Sequence, residues 1–345
     1  MIAKETKIVA TIGPVTAIEA MLEKIIAAGV DILRINFSHG NFAEHEPKVI
    51  LGREIAQKLA VPLAILQDLG GPKIRIGSFA DSSSIELKPG QIFTLTTDTN
   101  VVGDENIVSI NYPQLPREVV VGGIVFLHDG KKKLEVIEIS DLEVKCKVLV
   151  GGRVKSRSGV NLPGAHLSIH SLTEKDKHDL EFGIKHQVEY VAISFVRRAS
   201  DVKELRDLLD SRDFHPKVIA KIEDCDGVAN FDEILEIVDG IMIGRGDMGI
   251  EVGFENVPLI QKEMIKKCRQ AGKFVITATH VLESMIKSPV PTRAEVSDIT
   301  NAVLDGTNAV MLSEETTLGD YPLEAVEMMA KTIVATEKSP LYHKS

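Results

Sequence analysis

The sequence predicts an α/β protein, a (β/α)₈ TIM barrel with an all-β lid domain inserted after the third strand. Two features of the 345 residues lead to this prediction. Short β-branched runs alternate with helical patterns, which is typical of β-α units that build a parallel sheet. One long interruption, in which polar and apolar residues alternate instead, separates the third run from the fourth.

The predicted barrel strands are rich in Val, Ile and Leu, as expected for strands buried on both faces. There are eight of them, at residues 7–12, 31–37, 63–68, 190–195, 218–223, 240–244, 274–279 and 308–313. Helices are predicted between and after them, for example at 18–28, at 257–271 with Asn256 as a plausible N-cap, and at 323–336. An open doubly wound sheet is the alternative, but the first strand ends in Gly13-Pro14 without a G-x-G-x-x-G turn.

The interruption is predicted to form a domain of its own at residues 72–168, which leaves 1–71 and 169–345 for the barrel. Alternation is clearest over 84–95 and 134–150, and pairs such as Gly122-Gly123 mark turns. An insert after a barrel strand sits at the mouth where barrel active sites lie. We therefore expect it to act as a lid.

The composition limits the class of protein and its partners. A formal net charge of −10 argues weakly against nucleic acid or an anionic membrane as the main partner. The longest nearly apolar stretch, 119–127, is far shorter than the roughly 20 residues of a membrane span, and the N-terminus lacks an apolar signal core. Cys146, Cys225 and Cys268 have no metal-type spacing and suggest reduced thiols. A cytoplasmic protein is expected.

Polar residues occupy the carboxyl ends of most predicted strands, where core packing would favour apolar ones. Polar caps facing water could explain any single case, but the whole set indicates a site at one mouth of the barrel. These residues are Arg34, Asn36, Ser38, His39, Asp68, Lys221, Glu223, Asp247, Thr279 and Ser313.

Several of these groups suit the chemistry of a phosphorylated or enolic substrate. Glu223 and Asp247 follow adjacent strands, and two carboxylates with substrate and water oxygens suit Mg²⁺ or Mn²⁺. Lys221 points the same way as Glu223, so it could stabilise charge on a phosphoryl group or an enolate, or simply pair with Glu223. Arg34 offers a fork-shaped donor for phosphate. Gly246 allows a backbone amide to approach an oxyanion.

The chain resembles the pyruvate kinase family over essentially its whole length. The resemblance rests on long ordered matches: KIVATIGP at 7–14, RINFSHG at 34–40, GVNLPG at 159–164, AKIE at 220–223, RGDMGIE at 245–251, LESMI at 282–286, PTRAE at 291–295, LS at 312–313 and GDYP at 319–322. It implies transfer of a phosphoryl group from phosphoenolpyruvate to ADP, giving pyruvate and ATP in glycolysis.

The resemblance also implies residue roles. Glu223 and Asp247 would bind the divalent ion, and a second Mg²⁺ would arrive with ADP. Lys221 would stabilise the phosphoryl group and the enolate, and Arg34 would hold the phosphate. The amides of Gly246 and Asp247 and the Thr279 hydroxyl would hold the substrate carboxylate. Thr279 and Ser313 would lie toward the face where the enolate is protonated. The nucleotide would be met by Asn36, His39 and Arg75.

One departure from the family pattern concerns its monovalent cation. Many members read DTKGPEIR at the third strand and use K⁺ nearby, whereas this chain reads DLGGPKIR at 68–75. Lys73 thus stands at the usual Glu position, and its ammonium could supply the charge of K⁺. We expect Asn36, Ser38, Asp68 and Lys73 to form this surrogate site, and activity not to require K⁺.

Family members normally continue into a C-terminal effector domain, which is expected to be absent here because the chain stops shortly after the predicted helix at 323–336. Without that domain, a monomer or a homodimer through barrel surfaces is expected. Two alternatives stay open at this point. One is a metal-dependent aldolase acting through a pyruvate enolate, and the other is a catalytically silent barrel that senses a phosphorylated metabolite.

Overall fold

The computed structural model describes residues 4–80 and 84–342. Its strands are β1 Lys7–Thr11, β2 Ile32–Asn36, β3 Ala64–Asp68, β4 Ser84–Leu87, β5 Ile92–Thr96, β6 Ile107–Ser109, β7 Ile124–Leu127, β8 Lys132–Ile139, β9 Glu143–Val150, β10 Gly152–Lys155, β11 Val160–Asn161, β12 Tyr190–Ile193, β13 Lys217–Ile222, β14 Gly240–Gly244, β15 Phe274–Ala278 and β16 Ala309–Leu312.

The helices are α1 Glu19–Ala27, α2 Phe42–Leu59, α3 Leu115–Glu118, α4 Glu174–His186, α5 Ala199–Asp210, α6 Cys225–Ala229, α7 Phe231–Ile237, α8 Arg245–Val252, α9 Val257–Gln270, α10 Arg293–Asp305, α11 Glu314–Thr317 and α12 Pro322–Glu337. A 3₁₀ helix, Glu283–Ile286, lies between β15 and α10. No helix within residues 4–80 and 84–342 is both long and apolar enough to cross a membrane.

Eight parallel strands close into a barrel in the order β1-β2-β3-β12-β13-β14-β15-β16, with β16 paired back to β1. These are the eight strands that the sequence predicts, with ends that differ by at most two residues. The predicted (β/α)₈ barrel is therefore confirmed.

The barrel buries its strands on both faces, and the two faces carry different residues. Val9, Ile32, Leu66, Ile219 and Met242 belong to one buried cluster, which fills the interior. Their strand neighbours pack outward in a larger cluster with the helices, for example Ile8, Leu33 and Val218. Because side chains alternate along a strand, the residues two positions after the interior cluster point into the mouth of the barrel.

Strands β4 to β11 lie between β3 and β12 and form the predicted all-β insert. A six-stranded sheet has the order β11-β7-β8-β9-β5-β6, and β4 pairs with β10. The insert has a hydrophobic core of its own around Phe93, Leu134 and Cys146. The predicted boundaries at 72 and 168 stay a prediction. All three cysteines are free, and two of them, Cys146 and Cys268, are buried.

One local expectation needs refinement, and the structure makes the position of Asp247 specific. Asn256 stands at the N-cap position of α9, but its side chain makes no capping hydrogen bond and donates to the Val252 carbonyl oxygen at 2.8 Å instead. Asp247 does not extend β14. The strand ends at Gly244 and α8 begins at Arg245, so Asp247 lies in the first turn of a helix.

Candidate active site

Lys221 lies at the centre of a buried cluster of charged side chains at the carboxyl ends of the barrel strands. Its Nζ is 3.2 Å from Asp68 Oδ1 and 3.3 Å from Glu223 Oε1. It also donates to Ser194 Oγ at 2.7 Å. Lys221 and Asp68 follow interior positions on β13 and β3, which flank β12, so the ammonium reaches across the end of one strand.

Arg34 extends this cluster toward β1. Its Nε donates to Asp68 Oδ2 at 2.6 Å and its Nη1 to Thr11 Oγ1 at 2.9 Å. In the part of the chain that the structure describes, no hydrogen-bond partner is found for Nη2. The guanidinium plane is thus fixed from two sides while one nitrogen remains able to donate to another molecule.

Charges within the cluster shift its pKa values. Burial alone would raise the pKa of Asp68, but Lys221 and Arg34 outweigh it and lower that pKa. Burial opposes the charge of Lys221, yet Asp68 and Glu223 raise its pKa. Burial raises the pKa of Glu223, and although Lys221 opposes this, the carboxylates of Asp247 and Asp68 add to the rise. Negative charge is therefore in excess around Glu223 and Asp247.

Glu223 and Asp247 follow neighbouring strands, as the sequence predicts, and their surroundings fit a divalent cation. Gly244 makes room for the carboxylate, because a Cβ there would lie 2.6 Å from Glu223 Cγ. No group of three or more His, Cys, Asp or Glu suited to a metal occurs within residues 4–80 and 84–342. Two carboxylates would hold the ion only together with oxygens from substrate or water, which suits Mg²⁺.

Thr279 follows β15 and faces the first turn of α8. The Gly246 amide donates to Thr279 Oγ1 at 2.8 Å. The Thr279 hydroxyl also donates to the Ala278 carbonyl oxygen at 2.7 Å, so the hydroxyl and the Gly246 amide lie in direct hydrogen-bond contact. Ser313 follows β16 on the far side of β15, and its amide donates to Glu315 Oε2 at 2.7 Å.

The residues expected to meet the nucleotide or replace K⁺ lie on the β2 and β3 side of the mouth. The Ser38 amide donates to Asn36 Oδ1 at 3.0 Å, which shapes the turn after β2. Burial lowers the pKa of His39, and Arg75 and Lys73 lower it further by their positive charge. His39, Arg75 and Lys73 are thus close enough to interact. No ion pair of Lys73 with Asp68 is found among the described residues.

An open cleft lies between the barrel and the insert. Its wall includes Lys73, Asn161, Phe195, Asp247 and Glu251. The insert and the barrel meet across it where Asn161 Nδ2 donates to Glu251 Oε1 at 3.4 Å. The cleft therefore brings Asp247, one of the two carboxylates that fit a divalent cation, opposite the surface of the insert.

The structure adds site residues that the sequence analysis did not select. Ser194 bonds Lys221, and the Phe195 amide donates to Glu223 Oε2 at 3.0 Å. Ser194 stands two residues after the interior residue Ala192. The rule that polar residues at strand ends mark the site would have found Ser194, since it lies within the predicted strand 190–195.

A closed parallel barrel with charged side chains gathered at its strand ends is characteristic of an α/β-barrel enzyme. A family model described as the pyruvate kinase barrel domain matches residues 3–326. The pyruvate kinase of Thermotoga maritima is 46% identical over 335 residues, which cover 97% of this chain and 72% of that protein. The pyruvate kinase of Geobacillus stearothermophilus is 46% identical over 339 residues, which cover 97% of this chain and 57% of that protein.

A solved structure agrees with these relatives. The crystal structure of a pyruvate kinase from Cryptosporidium parvum superposes with a TM-score of 0.92 at 40% identity, covering 97% of this chain and 69% of that one. The chain belongs to the pyruvate kinase family, whose members are phosphotransferases.

Proposed function

We propose that this protein transfers a phosphoryl group from phosphoenolpyruvate to ADP, giving pyruvate and ATP, the step at which glycolysis consumes phosphoenolpyruvate. The observation that carries the proposal is the buried cluster in which Lys221 contacts both Asp68 and Glu223. Phosphoryl transfer needs positioned positive charge more than covalent chemistry, and this cluster holds such charge in a fixed place.

The proposed roles follow from the charges and contacts. Lys221, held by Ser194 and two carboxylates, stabilises charge on the transferring group and on the enolate. Arg34 donates a hydrogen bond to the phosphate through its remaining nitrogen, Nη2. Glu223 and Asp247 would hold Mg²⁺ or Mn²⁺, which when bound neutralises charge on substrate oxygens. Thr279 would bind the substrate carboxylate with the amides of Gly246 and Asp247. Ser313 would lie toward the face of the enolate that receives the proton.

The nucleotide would bind at Asn36, His39 and Arg75, beside the open cleft. Lys73 supports the proposal that K⁺ is not required, because it places an ammonium group on the wall of the cleft that Asp247 also lines. The carboxylate of Asp68 is already compensated by Arg34 and Lys221. Cytoplasmic placement and a monomer or barrel-mediated homodimer stay predictions.

The first test measures pyruvate formation from phosphoenolpyruvate, ADP and Mg²⁺. Wild type should turn over, Lys221→Ala should lose at least about a thousandfold in kcat, and Lys331→Ala on the exposed face of α12 should match wild type. Absence of turnover in wild type, with phosphoenolpyruvate still bound, would favour a sensor of phosphorylated metabolites instead.

The K⁺ proposal is tested in the same assay with tetramethylammonium in place of K⁺. Wild type should be equally active in both salts. Lys73→Met should lose activity in the K⁺-free buffer by at least about tenfold, since it removes the charge while keeping similar length. The matched variant Lys131→Met, on an exposed turn of the insert, should not. A wild type that is active only with K⁺ would refute this part of the proposal.

A further inference from the structure

Arg245 is the first residue of α8, and its buried guanidinium group connects four elements. Nε donates to the Ala278 carbonyl oxygen at 3.0 Å, and Nη2 to the Thr279 carbonyl oxygen at 2.7 Å, at the end of β15. Nη1 donates to Gln261 Oε1 on α9 at 3.1 Å and to Asp298 Oδ1 on α10 at 2.8 Å. One side chain thus ties the ends of β14 and β15 to two outer helices.

The backbone that Arg245 contacts has an unfavourable conformation. Thr279 has φ 63° and His280 has φ 54°, so two successive non-glycine residues lie in the left-handed region. A β-branched residue is rarely found there, and such a conformation persists only where surrounding contacts enforce it. Arg245 donates to the carbonyl oxygens on both sides of the Thr279 Cα.

The same contacts determine where the Thr279 hydroxyl points. Thr279 Oγ1 donates to the Ala278 carbonyl oxygen at 2.7 Å, the same oxygen that accepts from Arg245. It accepts a hydrogen bond from the Gly246 amide at 2.8 Å, and Gly246 directly follows Arg245 in the chain. Arg245 therefore sets the positions of both partners of this bond.

We propose that Arg245, oriented by Gln261 and Asp298, is a positioning residue that holds Thr279 in the left-handed conformation and so fixes its hydroxyl oxygen beside the Gly246 amide, at the place where the substrate carboxylate would bind. The substrate side of this inference rests on the proposed function. The strained turn and its hydrogen bonds do not depend on it.

Arg206 provides a matched control, because it makes similar contacts away from the site. Its Nε donates to the Ile237 carbonyl oxygen at 2.9 Å and its Nη2 to Asp239 Oδ2 at 2.8 Å. These contacts lie just before β14 begins, at the opposite end of the barrel. A lysine at either position loses the planar set of donors, so both replacements remove the same kind of bond.

The kinetic test compares Arg245→Lys with Arg206→Lys. Arg245→Lys should lower kcat/KM for phosphoenolpyruvate by at least about tenfold and leave the KM for ADP within about twofold, because only the carboxylate subsite moves. Arg206→Lys should lower the Tm but keep kcat/KM within about twofold. Equal kinetic effects of the two variants would overturn the proposal.

A double-mutant cycle asks whether Arg245 acts through Thr279. In a Thr279→Ala background the hydroxyl is already gone, so Arg245→Lys should add less than about a threefold further loss. A full, additive loss in that background would show that Arg245 acts elsewhere and would refute the positioning role.

A second cycle measures thermal unfolding and needs no substrate. Thr279→Gly should raise the Tm by about 2 °C, because glycine adopts positive φ without strain. The gain should vanish in Arg245→Lys, where the turn is free to relax, and an equal gain in both backgrounds would overturn the proposal.

If Arg245→Lys does not fold, Asp298→Asn replaces it in both cycles with the same expectations. A wild type without turnover would defeat the proposed function, and the unfolding cycle alone would then decide the inference.

Discussion

Glu251, on the wall of the cleft, should make the protein less stable as the pH rises. Burial raises the pKa of Glu251, and the nearby Asp224 carboxylate raises it further, from 4.5 to about 7. The bond from Asn161 and the charge of Arg197 oppose this rise without cancelling it. The folded protein therefore keeps a proton on this carboxyl at pH values where the unfolded chain has lost it.

The sign and size of the effect follow from this difference. Between pH 4.5 and about 7 the folded state binds more protons than the unfolded state, so the free energy of unfolding falls as the pH rises. Each unit of difference in pKa corresponds to about 1.4 kcal/mol, so ionised Glu251 costs about 3 kcal/mol above pH 7. Below pH 4.5 both states are protonated and the cost is absent.

Glu251→Gln removes the charge and keeps an oxygen that can accept from Asn161. Its stability relative to wild type should grow from near zero at pH 4.5 to about 3 kcal/mol at pH 8, a Tm difference of several degrees. Calorimetric unfolding of the metal-free protein at a series of pH values measures it. Glu54→Gln, an exposed carboxylate on α2, is the control and should show no such trend. If the free energies of unfolding of Glu251→Gln and wild type differ by the same amount at every pH, the reasoning is refuted.

Three other changes test the site and the insert. Gly244→Ala places a methyl 2.6 Å from Glu223 Cγ, so it should weaken Mg²⁺ activation by about tenfold or more in a metal titration. Ser194→Ala removes the 2.7 Å bond to Lys221, and kcat should fall by about tenfold with little change in Tm. Phe93→Ala opens a cavity in the fully buried insert core and should cost about 3–5 kcal/mol in denaturant unfolding.

Each of these predictions has an outcome that contradicts it. Gly70→Ala meets only ordinary contacts of 3.4 Å or more and should not change Mg²⁺ activation, so an equal effect there would discount the steric reasoning at Gly244. Unchanged kcat in Ser194→Ala would show that Lys221 keeps its position through carboxylates alone. A Phe93→Ala protein as stable as wild type would mean that the insert core repacks without a cavity.

The local periodicity of apolar and polar residues in the sequence predicted most of the fold. Strand and helix periodicity depends on near neighbours, and the eight barrel strands all form where that pattern places them. The pairing of Glu223 with Asp247 was also predictable, since consecutive β-α units place consecutive strands side by side. Asn256 takes the predicted N-cap position but forms no side-chain capping bond, because a residue type favours a cap without forcing its side chain to bond.

The sequence by itself determined the barrel, the inserted sheet, the polar strand ends and the membership of a family. Only the tertiary structure decided which of these polar groups touch. Lys221 reaches Asp68 across β12, Arg245 at the start of α8 donates to the turn after β15, and Glu251 is buried where the insert meets the barrel. Those contacts join residues far apart in the chain, and because distance and burial set the strength of charge interactions, no local pattern contains them.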